Sequence, residues 1–312
     1  MKHNLSISNF KLFLLKILLP FLFLLGGIGI VFNYFFEQKI VLKSHISGAY
    51  KINRILNTTD PNEIPIFGSS RAEMCLIPDS LGTNYFNYGL YRTRFDVTLF
   101  FLEQECKKRK ETPWIIVNFD LEGLTYGRGD ISNYLYNSNN PDVINLMDTD
   151  YKFYFRLPLL KYYGRFENIY RSYLTEKVEF TKVIDKGAAL ENQIITPKEF
   201  AREIAERSDA IPIFNNDKLL EEKLINLIKN NKNRFFVFTI APYHKCCFSD
   251  QNIKTPDGFI QYLNSFKNVK VFDFSKLPLP DSLFFNTTHV NFKGAIVYTH
   301  MLRDSLSKLG VN

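Results

Sequence analysis

The stretch Ile64-Pro65-Ile66-Phe67-Gly68-Ser69-Ser70-Arg71 decides how this chain is read. Its first four residues are apolar without alternation, as in a strand buried on both faces. Gly68 then permits a sharp turn, and its missing side chain leaves room beside it. Ser70 falls at the tip of that turn. If a helix begins there, its first backbone N–H groups point into the same space. Either serine would also serve as a helix cap. A serine hydroxyl is a weak nucleophile until a base takes its proton, and histidine is the usual base at neutral pH. The candidate base lies near the other end of the chain. There Phe284-Phe285-Asn286-Thr287-Thr288-His289-Val290-Asn291 runs into Lys293-Gly294-Ala295 and sets His289 just ahead of a helix.

Four further apolar runs read as buried strands: Tyr85 to Tyr88, Trp114 to Phe119, Phe235 to Ile240 and Val269 to Phe274. Helical patterns separate them. Phe95 to Lys108 and Lys218 to Lys229 carry apolar residues at helical spacing, and Phe292 to Leu309 closes the chain. Strands alternating with helices predict an α/β fold, a parallel sheet flanked by helices. Ligands of such sheets sit at the carboxyl ends of the strands. Ser70 and Asp120 both follow strands and fall there. Tyr243-His244 follows the fourth run and either lines the cleft or packs beneath it.

Residues 124 to 215 break the rhythm. They are rich in Tyr, Asn and Arg and read as a helical insertion. Tyr162, Tyr163, Phe166 and Tyr170 would pack that layer against the sheet, or stack on sugar rings.

Composition bounds the rest. With 46% hydrophobic and 15% aromatic residues, the 312-residue chain has ample core and is not disordered. A net charge of +7 is mild, and its basic residues are scattered. The one dense run, Lys107-Lys108-Arg109-Lys110, falls where a helix should end and reads as a solvated helix terminus. Without a recognised motif, nucleic-acid binding is not expected. The four cysteines, Cys75, Cys106, Cys246 and Cys247, favour no pairing. Adjacent Cys246-Cys247 with His244 lacks metal-ligand spacing, so neither metal nor other cofactor is expected.

The N-terminus sets location. ILLPFLFLLGGIGIVFNYFF, from Ile17 to Phe36, carries no charge and is long enough to span a bilayer as a helix. No small-residue cleavage pattern follows it. The expectation is an uncleaved signal anchor at 17–36, preceded by a cytoplasmic tail at 1–16 and followed by a stalk at 37–62. Residues 63–312 would form a domain outside the cytoplasmic (inner) membrane. Lysines flank the span on both sides, so the short leading tail carries the orientation argument.

Taken together, the first and last blocks resemble the SGNH, or GDSL-type, hydrolase superfamily. The closest likeness is to its membrane-anchored branch, related to the D-alanyl-transfer protein DltD and to polysaccharide O-acetylation proteins. Phe67-Gly68-Ser69-Ser70-Arg71 is similar to that branch's first block, and Asn286-Thr287-Thr288-His289 through Gly294-Ala295 to its last. The likeness covers roughly residues 63 to 309. It implies a three-layer, flavodoxin-like (SGNH-type) fold, with Ser70 as nucleophile and His289 as base. It also implies oxyanion donors at Ser70 and at Gly89, in Asn87-Tyr88-Gly89, with Asn118 a further counterpart and Arg71 a substrate contact. Where the family has an orienting aspartate, this chain has Asn286, which can orient an imidazole but not offset its charge. Asp281 or Asp273 could substitute. The implied activity is that of a serine esterase or acyltransferase on a cell-envelope polysaccharide or other acylated glycan. A transferase of one span would need a multispanning membrane partner to deliver the acyl group. The alternative is a non-catalytic scaffold or carbohydrate-binding member of the fold.

Overall fold

The computed structural model describes residues 7–40, 49–57, 60–108, 110–126, 184–206, 214–248 and 256–311, with scattered positions between 143 and 174. The first six residues, residues 41–48, Arg109, Tyr163 and most of 127–183 lie outside that description. The chain divides into two compact units. One is Met1–Tyr50 with Tyr134–Phe180, and the other is Lys51–Asn133 with Thr181–Asn312.

The first unit holds the helix Phe10–Lys39, which is long and apolar enough to cross a membrane. Its large side chains, Phe21, Leu22, Phe23 and Ile30 among them, are exposed, unlike those of a core helix. A π-helical stretch, Leu14–Leu18, interrupts it just before Pro20. Proline has no N–H to give the carbonyl four residues back, and its ring crowds that carbonyl, so the preceding turn widens. Near the far end of this helix Phe36 stacks on Phe166, with ring centroids 4.3 Å apart, and meets Tyr162 edge-on at 5.0 Å. These insertion aromatics thus pack on the apolar helix of their own unit.

The second unit is built on five parallel strands: β1 Ile64–Phe67, β2 Tyr85–Asn87, β3 Trp114–Asn118, β4 Phe235–Ile240 and β5 Val269–Asp273. Their order in the sheet is β2-β1-β3-β4-β5. This is a doubly wound order, whose switch point lies between β1 and β3. Ile66 pairs with Ile116 and Ile116 with Val237, while Phe67, Val117 and Phe238 form the next row. Strand residues alternate between faces. Since both rows are buried, both faces need cover, and the strands are apolar throughout. Ile64, Ile66, Ile116 and Val237 share a core with Ala72, Cys75, Tyr298 and Leu302, from the helices Ser70–Cys75 and Phe292–Ser307. In the other row Phe119, just after β3, meets Phe95 and Phe259.

Within the segment read as a stalk, Ala49–Asn57 is a helix whose Lys51, Ile52 and Ile55 are buried. Lys51 Nζ donates to Glu73 Oε1 and to the Gly89 carbonyl, both at 2.6 Å. Burial lowers the Lys51 pKa, and the Glu73 carboxylate opposes that fall.

The basic run after Phe95–Cys106 is also more than a solvated terminus. Glu105 is fully buried and takes Arg234 at 2.9 Å, Lys108 at 3.1 Å and Lys110 at 3.5 Å. Lys108 and Lys110 therefore offset a buried charge. We expect Glu105→Ala to cost about 3–5 kcal/mol, because it leaves the Arg234 guanidinium buried without its counter-ion. The denaturant midpoint of the detergent-solubilised chain, followed by circular dichroism, measures it.

Candidate active site

At Gly68 the chain leaves β1 with φ +151°. A Cβ there would stand 2.8 Å from Ala72 Cβ and 2.9 Å from the Asn118 carbonyl oxygen, so only glycine lets β1, β3 and the next helix approach this closely. Ser69 is the N-cap of Ser70–Cys75, its Oγ accepting the Arg71 N–H at 3.2 Å. Ser70 is thereby free of capping duty and opens the helix at the carboxyl edge of the sheet.

His289 arrives on a tight hairpin. Phe284 and Val290 pair antiparallel, and the N–H groups of Phe285 and Asn286 both donate to the His289 carbonyl, at 2.9 and 3.2 Å. Asn291 caps the following helix by accepting the Gly294 N–H at 3.2 Å, while its Nδ2 donates to the Ser282 carbonyl at 2.8 Å. A Cβ on Gly294 would lie 2.3 Å from the Leu283 carbonyl oxygen, so glycine is needed where helix and hairpin touch.

Ser70 and His289, 219 residues apart in sequence, meet with Ser70 Oγ 2.8 Å from His289 Nε2. The other ring nitrogen, Nδ1, lies 3.0 Å from Asn286 Oδ1 and 3.0 Å from Thr288 Oγ1. Asn286 Oδ1 also accepts the backbone N–H groups of Thr288, at 2.9 Å, and of His289, at 2.8 Å, and the Thr288 hydroxyl at 3.1 Å. Only an amide oxygen can accept two N–H groups, which fixes the orientation of the Asn286 amide. An oxygen facing Nδ1 then requires the imidazole proton to be on Nδ1. Nε2 is left with its lone pair toward Ser70 Oγ, the tautomer a general base needs.

Neither Asp281 nor Asp273 stands at Nδ1 in place of the amide. Asp281 is engaged by His244 Nε2 at 3.1 Å and Lys245 at 3.4 Å, and those partners hold its carboxyl below the usual range. Asp273 accepts the Ser275 N–H at 2.8 Å. Sequence reasoning missed Glu203, on the helix Pro197–Glu206, whose Oε2 accepts the Thr287 N–H at 3.0 Å. That helix opens with a reciprocal cap, Thr196 with Glu199, a pattern readable in the sequence. His244, in turn, uses its backbone N–H and both ring nitrogens within its own loop and hairpin, donating N–H to the Thr287 carbonyl at 3.0 Å.

Ser70 and His289 open on a cavity of about 550 Å³, lined also by Arg71, Arg92, Arg94, Asp120 and Glu122. Arg71 is almost fully buried. Its Nη2 donates to the carbonyls of Ala241, at 2.6 Å, and Pro242, at 3.0 Å, and its guanidinium lies over the Tyr243 ring at 3.4 Å. Nη1 has no hydrogen-bond partner among the described residues. Burial and the neighbouring Glu122 carboxylate push Asp120 up to about 6, against the pull of Arg71 and the Ser69 hydroxyl. The cavity wall therefore gains a negative charge as pH rises through that value.

Two expected donors stand elsewhere. The Gly89 N–H is already given to Asn87 Oδ1 at 2.8 Å, and Gly89 is not among the cavity-lining residues. Its glycine has a packing reason, since a Cβ would lie 2.5 Å from the Glu73 backbone nitrogen. Asn118 is buried at the end of β3, its Nδ2 3.4 Å from the Tyr298 hydroxyl. It lines a small polar hollow that shares Ser69 and Asp120 with the main cavity.

The class that fold and site define is an α/β protein with a serine–histidine–asparagine constellation at the carboxyl edge of a parallel sheet. No protein-family model matches this chain, nor does any curated protein sequence.

We expect Asn286→Asp, which keeps an acceptor for all four donors and adds a charge, to raise the His289 titration midpoint by roughly 1–2 units. Asn286→Ala should lower it or detach the ring from Ser70. NMR of selectively histidine-labelled protein reads both.

Proposed function

We propose that this chain is a membrane-tethered serine esterase or O-acyltransferase of SGNH type, acting on acyl groups of a cell-envelope glycan. The observation that carries the reading is the 2.8 Å contact from Ser70 Oγ to His289 Nε2, with the opposite nitrogen committed to Asn286. Ser70 Oγ attacks the acyl carbonyl as Nε2 takes its proton. The tetrahedral intermediate collapses to an acyl-serine, and Nε2 returns the proton to the departing alkoxide. Water then accepts the acyl group in an esterase, or a sugar hydroxyl in a transferase, with His289 again as base. The Ser70 N–H, at a helix start, is the donor on hand for the oxyanion.

The long apolar helix supports a signal anchor, to which a domain outside the cytoplasmic membrane would be tethered. A transferase would draw its acyl group from a multispanning membrane partner. A second reading, a carbohydrate-binding scaffold without catalysis, is favoured by the neutral Asn286 and by the engaged Gly89 N–H.

A fluorophosphonate probe on the full chain in detergent separates the two. We expect covalent labelling at Ser70 and its loss in Ser70→Ala and His289→Ala. Hydrolysis of an aryl acetate should fall about a thousandfold or more in each. A folded, unlabelled wild-type protein, with Ser70→Ala still able to complement a deletion, would establish the scaffold reading instead.

A further inference from the structure

We infer that the Thr288 hydroxyl is a second anchor for the His289 ring, which makes Thr288 a positioning residue for the base. This rests on the Ser70–His289 reading. Thr288 Oγ1 lies 3.0 Å from His289 Nδ1, as close as Asn286 Oδ1 does. It also lies 3.1 Å from Asn286 Oδ1, so the two oxygens and the ring nitrogen close a triangle. An amide oxygen can only accept. The Thr288 proton therefore goes to Asn286, and the hydroxyl has only lone pairs left to offer Nδ1. The ring N–H is shared between two acceptors.

The lone pairs of Asn286 give that sharing a reason. Its Oδ1 accepts the backbone N–H groups of His289 at 2.8 Å and of Thr288 at 2.9 Å, both closer than the ring or the hydroxyl. A carbonyl oxygen has two lone pairs, and two fixed donors already claim them. A second acceptor at Thr288 relieves the crowding. Thr288 is held at two atoms, since its N–H and its hydroxyl both end on Asn286, and threonine is stiff at χ1. Its oxygen is thus set in place independently of the ring. The contact counts most once Nε2 has taken the serine proton. Nδ1–H is then a charged donor, and such hydrogen bonds are stronger than neutral ones. An acceptor at Nδ1 favours the cation and so raises the midpoint of the imidazole.

Charged groups surround the ring on two sides. The cavity wall carries Arg71, Arg92, Arg94, Asp120 and Glu122. About the hairpin stand Asp281 with His244 and Lys245, and Glu203 at the Thr287 N–H. Exchanging a hydroxyl for a methyl removes none of these charges, so a difference between variant and wild type reports the hydroxyl.

The test compares Thr288→Val with Thr288→Ser in the full chain in detergent. Valine keeps the branched shape and removes the hydroxyl, whereas serine keeps the hydroxyl. Selective labelling of the five histidines, with His289→Gln for assignment, follows the imidazole itself and not the neighbouring Asp120. Thr288→Val should lower the His289 titration midpoint by roughly half to one pH unit and slow fluorophosphonate labelling of Ser70 about five- to tenfold. Thr288→Ser should recover most of both, a rescue that packing of the threonine methyl would not give. If Thr288→Val melts early, Thr288→Ala against Thr288→Ser decides the matter, since that pair differs by the hydroxyl alone and should show the same shift. An unmoved or raised midpoint in folded protein lacking the hydroxyl overturns the inference and leaves Thr288 a brace of the hairpin. A lowered midpoint in a protein whose wild type is never labelled upholds the anchor and removes the esterase reading instead.

Discussion

At Gly68 three parts of the chain compete for the volume of one methyl group: the end of β1, the Ala72 side chain and the Asn118 carbonyl that ends β3. Because that volume stays empty, the helix after β1 starts hard against the sheet. Ser69 is then placed to cap it and Ser70 to face outward. The same closeness lets Arg71 reach across the switch point to the carbonyls of Ala241 and Pro242 and to the Tyr243 ring, just beyond β4. One turn thus ties together the carboxyl ends of β1, β3 and β4. Lysine could not do this at position 71, since the tie uses a planar guanidinium that stacks and donates at once.

The hairpin that carries His289 solves a different problem, holding an imidazole with uncharged groups. A single amide oxygen gathers two backbone N–H groups, a hydroxyl and the ring. Its orientation is enforced by donors that cannot rotate away, so the ring is placed by geometry more than by charge. A neutral amide oxygen orients the imidazole without offsetting the charge it would gain.

The strands were legible because burial on both faces leaves little choice of residue. Ile64–Phe67 and Phe235–Ile240 coincide with the apolar runs, and the other three stop one residue earlier. Ser70 and His289 were legible through their local blocks, since a glycine turn and a capped helix start leave local signals. Asn286 was visible as a departure, but its four donors were not, because they depend on the hairpin closing. Lys51 and Glu203 were missed for one reason. Each charged side chain reads as solvated until a partner far along the chain is brought to it, whether Gly89 or Thr287. Gly89 shows the converse. Its neighbourhood suggested an oxyanion donor, while the Asn87 side chain two residues away had already claimed its N–H.

The chain passes between its two units more than once. It leaves the apolar helix for the sheet unit at Lys51, returns at Tyr134 and leaves again after Phe180. Phe166 and Tyr162, from the middle of that excursion, rest on Phe36 of the helix. A single proteolytic nick between the helix and Lys51 would therefore not shed the sheet unit. The excursion is joined to that unit at both ends and its aromatics rest on the helix, so parting the sheet unit from the apolar helix would take cuts at three points along the chain.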